Sequence, residues 1–335
     1  MKRAPCLRGP ATLLAAWRRW LQAAALAWLG WALLGPARAD PCPPPAAAPS
    51  PAQVQAELRA ARDRGLLWRF ERDGRVGWLY GTVHVGRLAW AFPGPTVGAA
   101  LRAADTLALE LDLSDPGFAP QLADAAAWLR QREAAWGLPE ALRLRLSALA
   151  GTACVNAAAL AGQPLLLQAL ALSVLSARRD DLDPAYSQEA TLAGFARATG
   201  KAVVSMETPL AQFEALLPTG ATDAEQVLND TLDRLADGRA RAQMVRLAGL
   251  WERGDLAELG RFERWCDCVP GAADHERLRR ANDARNPALA ERIAALHGQG
   301  RQVFAAVGAL HMTGPQALPG LLAERGFQVQ RVVFP

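Results

Sequence analysis

Short apolar runs closed by a polar residue and a turn recur along this chain, with helical stretches between them. Leu66-Leu67-Trp68-Arg69-Phe70-Glu71-Arg72 and Arg75-Val76-Gly77-Trp78-Leu79-Tyr80 flank Asp73-Gly74. Asp-Gly between two such runs predicts a β-hairpin, because a type I′ turn needs positive φ at both central positions. The run 106–112 is apolar but for the acids near its end, 202–206 leads into Glu207, and 301–307 leads into Gly308. A last strand is predicted over 328–334. Elsewhere the spacing turns helical. Helices are predicted over 53–64, 99–103, 187–199 and 315–325, and one long helix runs from the capping box Thr222-Asp223-Ala224-Glu225 to about Trp251. Asn286-Pro287 reads as the N-cap and first residue of a helix that ends at His297-Gly298. Residues 121–137, 139–150 and 164–176 are rich in Ala and Leu and predict three mutually packed helices, a lid or insertion at about 120–185, with Trp128 and Trp136 in its core. Strands alternating with helices predict an α/β fold with a largely parallel central sheet flanked by helices.

The first residues change the picture of the whole. Lys2, Arg3, Arg8, Arg18 and Arg19 precede an apolar segment, 21–34, and Ala37-Arg38-Ala39 supplies the small residues of a cleavage site. This predicts a signal peptide over 1–39 and a periplasmic or secreted protein. The segment is shorter than the about 20 residues of a membrane span; left uncleaved, it would anchor the protein in the inner membrane, facing the periplasm. Residues 40–65 read as a Pro/Ala-rich linker with a short helix, and 66–335 as the folded domain. Of the 37 basic residues six lie in 1–39, with no acid, so beyond it 31 basic residues face 33 acidic ones, a net charge of −2. The basic balance therefore belongs to the leader, and no basic patch argues for a nucleic-acid partner. Cys42, Cys154, Cys266 and Cys268 follow the leader. An exported protein is free to form disulfides. Cys266 and Cys268 read as too close to bridge each other comfortably, so a bridge from Cys154 to one of them is conceivable, the pairing being left open by the sequence.

Four apolar strands thus finish in His84, Glu110, Glu207 and His311, and both histidines occur in Gly-x-x-His, as Gly81-Thr82-Val83-His84 and Gly308-Ala309-Leu310-His311. In open α/β sheets, ligands bind at the carboxyl ends of the strands. Parallel, adjacent strands would bring the four groups together there. Two imidazoles with one or two carboxylates make a donor set for Mn, Co, Zn or Fe. His84, Glu110 and His311 are the expected ligands, Glu207 the general base or a further ligand, and Gly81 and Gly308 the points where a ligand approaches the backbone. Arg285, before Asn286, reads as a clamp for developing negative charge. His275 and His297 read as helix-end residues.

These motifs, with Leu109-Glu110-Leu111-Asp112, Met206-Glu207-Thr208, Gln212, Arg285-Asn286 and Met312-Thr313-Gly314-Pro315, resemble the TraB/GumN family, which includes the Tiki proteins. The resemblance covers about 66–335 and is strongest at both ends. It implies an α/β fold related to erythromycin esterases and the haem-binding ChaN lipoproteins. It also implies a metal-dependent peptidase, as Tiki members are, acting on a peptide or small molecule. The alternative expectation is a ChaN-like haem or iron carrier without catalysis, one histidine serving as axial ligand.

Overall fold

Asp73 and Gly74 have φ of 55° and 71°, the left-handed pair that the hairpin turn requires. They join β1 (Leu66–Arg72) to β2 (Arg75–Thr82), in a register that pairs Arg72 with Arg75 and Leu66 with Gly81. The computed structural model describes residues 42–334 apart from 45 and 270. The predicted signal segment, 1–39, lies outside the described residues.

The remaining strands are β3 (Thr106–Leu109), β4 (Ala202–Ser205), β5 (Val303–Gly308) and β6 (Gln328–Val332). They form one sheet in the order β4-β3-β5-β2-β1-β6. The pairs β4–β3, β3–β5 and β5–β2 are parallel, and β2–β1 and β1–β6 are antiparallel. The fold is therefore α/β with a mostly parallel sheet, as the alternation of elements predicts. β5 arrives last but one and enters between β2 and β3, and its first five residues are buried. Parallel neighbours need long crossover connections, which the helices supply.

Among the described residues, the helices of seven residues or more are α1 (Pro51–Ala60), α2 (Pro95–Ala103), α3 (Phe118–Trp136), α4 (Glu140–Leu149), α5 (Leu165–Leu175), α6 (Gln188–Ala198), α7 (Pro209–Leu216), α8 (Ala221–Ala236), α9 (Arg239–Glu252), α10 (Ala272–Ala281), α11 (Asn286–Gly298) and α12 (Leu318–Glu324). Two apolar clusters hold them. The first packs Phe70, Leu79, Leu107 and Phe304 of the sheet against Leu192, Trp251 and Ile293. Emptying such a site, as in Phe304→Ala, costs about 3–5 kcal/mol in typical cores. The second joins α3, α4, α5 and α8 through Leu129, Leu142, Leu166, Leu172, Leu228 and Leu232. Trp128 and Trp136 pack against it, with the Arg132 guanidinium over both rings. The Ala/Leu-rich middle is thus packed largely on itself.

Three sequence expectations are corrected. The long helix from 222 is two, α8 and α9, because Gly238 (φ 81°) after Asp237 turns the chain back. Asn286 is the first residue of α11 rather than its cap, and its amide is used elsewhere. Cys266 and Cys268 bond each other, with Cα atoms 5.1 Å apart, so neither pairs with Cys154, which is itself disulfide-bonded. Asp267 between them, at φ 49°, folds the short link tightly enough for the two sulfurs to meet. Among the described residues no helix is long and apolar enough to cross a membrane.

Candidate functional site

Past its last strand residues the parallel ladder continues, Met206 N–H donating to Leu109 O at 2.8 Å and Glu207 N–H to Glu110 O at 3.0 Å. This sets Glu110 and Glu207 side by side on neighbouring strands. On the other side of β3, the Gly308 N–H at the end of β5 donates to Glu110 Oε1 at 2.6 Å. His311 lies in the helical turn Ala309–Met312 just beyond, and His84 just beyond β2. His84, Glu110, Arg285, Gly308 and His311 line one cavity of about 230 Å³, closed on its apolar side by Val174, Leu216, Met244, Leu247 and Trp251. Trp251 holds that wall by donating its indole N–H to Gly81 O at 2.7 Å. Glu207 and Gly81 do not line the cavity.

Glu207 sits behind Arg285. The guanidinium donates through Nε to Glu207 Oε1 at 2.9 Å, through one Nη to Ala281 O at 2.9 Å, and through the other Nη to Oε2 of both Glu207 and Glu110. Gln212 Nε2 bridges the same two oxygens at 3.1 and 3.0 Å. Burial would lower the Arg285 pKa, but the hydrogen bonds and charges of Glu207 and Glu110 carry it above its ordinary value. Burial would raise Glu110, but His311, Arg285, His84 and the Gly308 N–H bring the carboxyl down to about 2. Glu110 is therefore an anion at neutral pH, buried and oriented on both oxygens.

Each imidazole has one nitrogen fixed. Asn286 Nδ2 donates to His311 O at 3.3 Å and to Gln316 O at 2.8 Å, so its Oδ1 is the acceptor facing His311 Nδ1 at 2.5 Å. The proton of neutral His311 consequently lies on Nδ1, and Nε2 presents a lone pair. Burial takes this ring down to about 4, Glu110 opposing and Arg285 adding to the fall, so it is neutral at pH 7. Its Nε2 faces Glu110 Oε1 at 3.8 Å. His84 Nδ1 lies 3.0 Å from Glu189 Oε1, which also accepts from Thr82 Oγ1 at 2.5 Å. The charge of Glu189, with the hydrogen bond it accepts, raises His84 to about 9. The ring opens into the cleft, with two-thirds of its side chain exposed.

The donor chemistry fits a divalent metal. Nε2 of His311 and Oε1 of Glu110 are two acceptors facing each other, an arrangement that a cation satisfies, and donors about 3–4 Å apart can share an ion with bonds of about 2.0–2.2 Å. A Cβ on Gly308 would lie 3.4 Å from Glu110 Oε1 and 3.6 Å from the His311 ring, so this glycine keeps the space between them clear. Glu189 and Asn286 hold the far nitrogens of both rings, as partners behind metal-bound histidines do. Among the described residues, however, no three His, Cys, Asp or Glu side chains stand in one coordination sphere as they are. His84, with Nδ1 on Glu189, is the other imidazole that lines the cavity. Gly81 acts on packing instead. A Cβ there would press on Ala309 Cα at 3.2 Å and Leu66 Cβ at 3.3 Å, so its absence lets the turn bearing His311 pack close to β2.

Glu189 is a site residue that the local sequence pattern does not single out. Gln188, Glu189, Leu192, Ala193 and Ala196 are the buried face of α6. An acid on the apolar face of an otherwise regular helix is the available signal. Its Oε2 is buried without a hydrogen-bond partner in the protein. His275 pairs with Glu263, and His297 ends α11 with Nε2 3.0 Å from Arg75 O and its ring against Phe70 and Phe327; both lie apart from the cavity lining.

Compared with known proteins, residues 66–331 match the model of the TraB/PrgY/gumN family. No curated protein and no solved structure matches.

Proposed function

The chain belongs to the TraB/PrgY/gumN family, and we propose that it is an exported, divalent-metal-dependent hydrolase of amide bonds, with peptides the first substrates to test. The observation that carries this reading is the pair of facing acceptors, His311 Nε2 and Glu110 Oε1, whose tautomer and ionisation are fixed by Asn286, Arg285 and Gly308. His84 supplies the third donor through Nε2, keeping Nδ1 on Glu189. The metal is Mn, Co, Zn or Fe; when bound it polarises a carbonyl and activates water.

The chain's own residues do the rest. Arg285 faces the cavity and is held by four acceptor oxygens, so it meets negative charge developing on a carbonyl oxygen without reorganising. Glu207 has both oxygens engaged by Arg285 and Gln212; in this reading it positions the guanidinium. Leu216, Met244 and Leu247 exclude water from one side of the reacting bond. The Cys266–Cys268 disulfide supports an oxidising compartment, in keeping with a cleaved leader over 1–39.

The test is elemental analysis of the purified protein beside His84→Ala and His311→Ala, followed by a peptide-library cleavage screen. One bound transition metal, lost in both variants together with cleavage, is the expected result. A metal-free protein that stays so after reconstitution and develops a Soret band with haem would replace this reading by the haem-carrier one.

A further inference from the structure

Cys266 and Cys268 are bridged across a sequence separation of 2, with Asp267 between them at φ 49°. In the chain-entropy account a bridge stabilises a fold through the loop it closes in the unfolded chain, and this loop is near the shortest that can close. Nor does the bridge staple two elements together. Both cysteines lie in the link between the short helical turn Phe262–Trp265 and α10. Linkage is reciprocal, so a bond that adds little to the stability of the fold receives as little protection from it against reduction.

The two sulfurs differ in access and in what holds them. Cys266 is buried, whereas Cys268 is half-buried and lines a groove of about 350 Å³ beside α5, α8 and α9. The Cys268 N–H donates to Cys266 Sγ at 3.2 Å. A donor there favours negative charge on that sulfur, which makes Cys266 the better leaving group. The link is also tied to α9 independently of the bridge. Gln243 Nε2 donates to Cys266 O at 2.6 Å, and Arg239, one turn earlier, donates to Asp267 Oδ2 at 2.6 Å. Once opened, the two thiols therefore stay within reach of each other.

We propose that Cys266–Cys268 is a thiol–disulfide exchange site, attacked from the groove at Cys268 by thiol compounds. The incoming thiolate bonds to Cys268 Sγ, the Cys266–Cys268 bond breaks, and its electron pair leaves on Cys266 Sγ, which takes a proton. A second thiolate attacks the sulfur of the first; Cys268 leaves and takes a proton, and the two thiols depart joined as a disulfide. Two electrons thus pass from the thiols to the bridge. The reverse sequence closes the bridge at the expense of an external disulfide. The site stands apart from the hydrolase reading and does not rest on it.

The test equilibrates the purified full-length protein in a glutathione buffer poised at about the cytosolic level, which structural disulfides resist. Free thiols are then alkylated with N-ethylmaleimide and mapped by mass spectrometry. Cys266 and Cys268 should be labelled together, while Cys154, in its own disulfide, stays unlabelled and the far-ultraviolet circular dichroism is unchanged. Quenched early with acid, the reaction should carry glutathione on Cys268 about tenfold or more over Cys266. Given oxidised glutathione, Cys266→Ser should take up the adduct, and Cys268→Ser about tenfold less or lower. Cys266→Ser/Cys268→Ser should lower the thermal midpoint by no more than about 5 °C. A bridge that stays closed in that buffer, opens only along with the Cys154 disulfide or with loss of structure, or carries glutathione first on Cys266 would overturn the proposal. So would a double variant that melts far lower or fails to fold, since the fold would then protect the bond as a structural one.

Discussion

Asn286 decides which nitrogen of His311 carries the proton. Its amide nitrogen is occupied by two backbone carbonyls, so only its oxygen is left for the ring, at 2.5 Å. Asn286→Leu should therefore strip the ring of its orientation. The expected cost is about 1–3 kcal/mol in denaturant unfolding, from the buried groups left unpaired, and a 10–100-fold loss of metal affinity. Unchanged affinity would separate His311 from the metal.

The two Gly-x-x-His glycines should fail differently. Gly308 has φ −50° and ψ 139°, open to any residue, so Gly308→Ala should fold normally. Its methyl would sit against Glu110 and His311, and metal binding should fall at least tenfold. Gly81→Ala, pressed between Ala309 and Leu66, should instead lower stability by about 1–3 kcal/mol. Thermal melts beside metal titrations of the two variants read the contrast.

Metal binding should strengthen with pH. His84 is raised to about 9 by Glu189, and a metal needs the ring's Nε2 free of its proton. Affinity should thus climb until pH passes about 9. The sign for folding is opposite: the His84–Glu189 pair stabilises fully below about 6.5, the ordinary histidine value, and fades as pH rises through 9. Glu189→Gln should return the ring toward the ordinary value, and NMR titration of the His84 ring checks it.

Acid should loosen the sheet edge at Asp112. Burial alone would raise this carboxyl, but Arg197 and Ser114 hold it below its ordinary value. Its contribution is present above about 3.9 and disappears as pH falls through the lower folded value. Arg197→Ala should cost about 1–3 kcal/mol at neutral pH and flatten the fall of stability in acid, because the carboxyl then loses its lowered folded value; denaturant unfolding at several pH values, followed by circular dichroism, reads both.

Much of the site is legible in the order of residues alone. Apolar strands that end in His84, Glu110, Glu207 and His311 are local patterns, and four adjacent parallel strands bring their ends to one edge. The features that are not legible depend on contacts across the chain. Asn286 looks like a helix cap because Asn-Pro has that local preference; its real partners, His311 and Gln316, are 25 and 30 residues away. Glu189 is 105 residues from His84, on a helix that reads as ordinary packing. Glu207 reads as a base because it follows a strand, and only the reach of Arg285 over 78 residues shows both its oxygens engaged. The break at Gly238 is legible, since Asp-Gly after a helical run is a stop signal.

The place of β5 has a consequence in time. A chain is made from its N-terminus, and early segments begin to fold as they appear. Yet the strand that must slot between β2 and β3 spans Val303–Gly308, close to the C-terminus. Until it arrives, the early hairpin and the strand bearing Glu110 lack the neighbour that joins them. No nascent or truncated fragment ending before residue 303 can assemble the pocket, so whatever chemistry it performs starts only once Val303–Gly308 and the turn bearing His311 have been made.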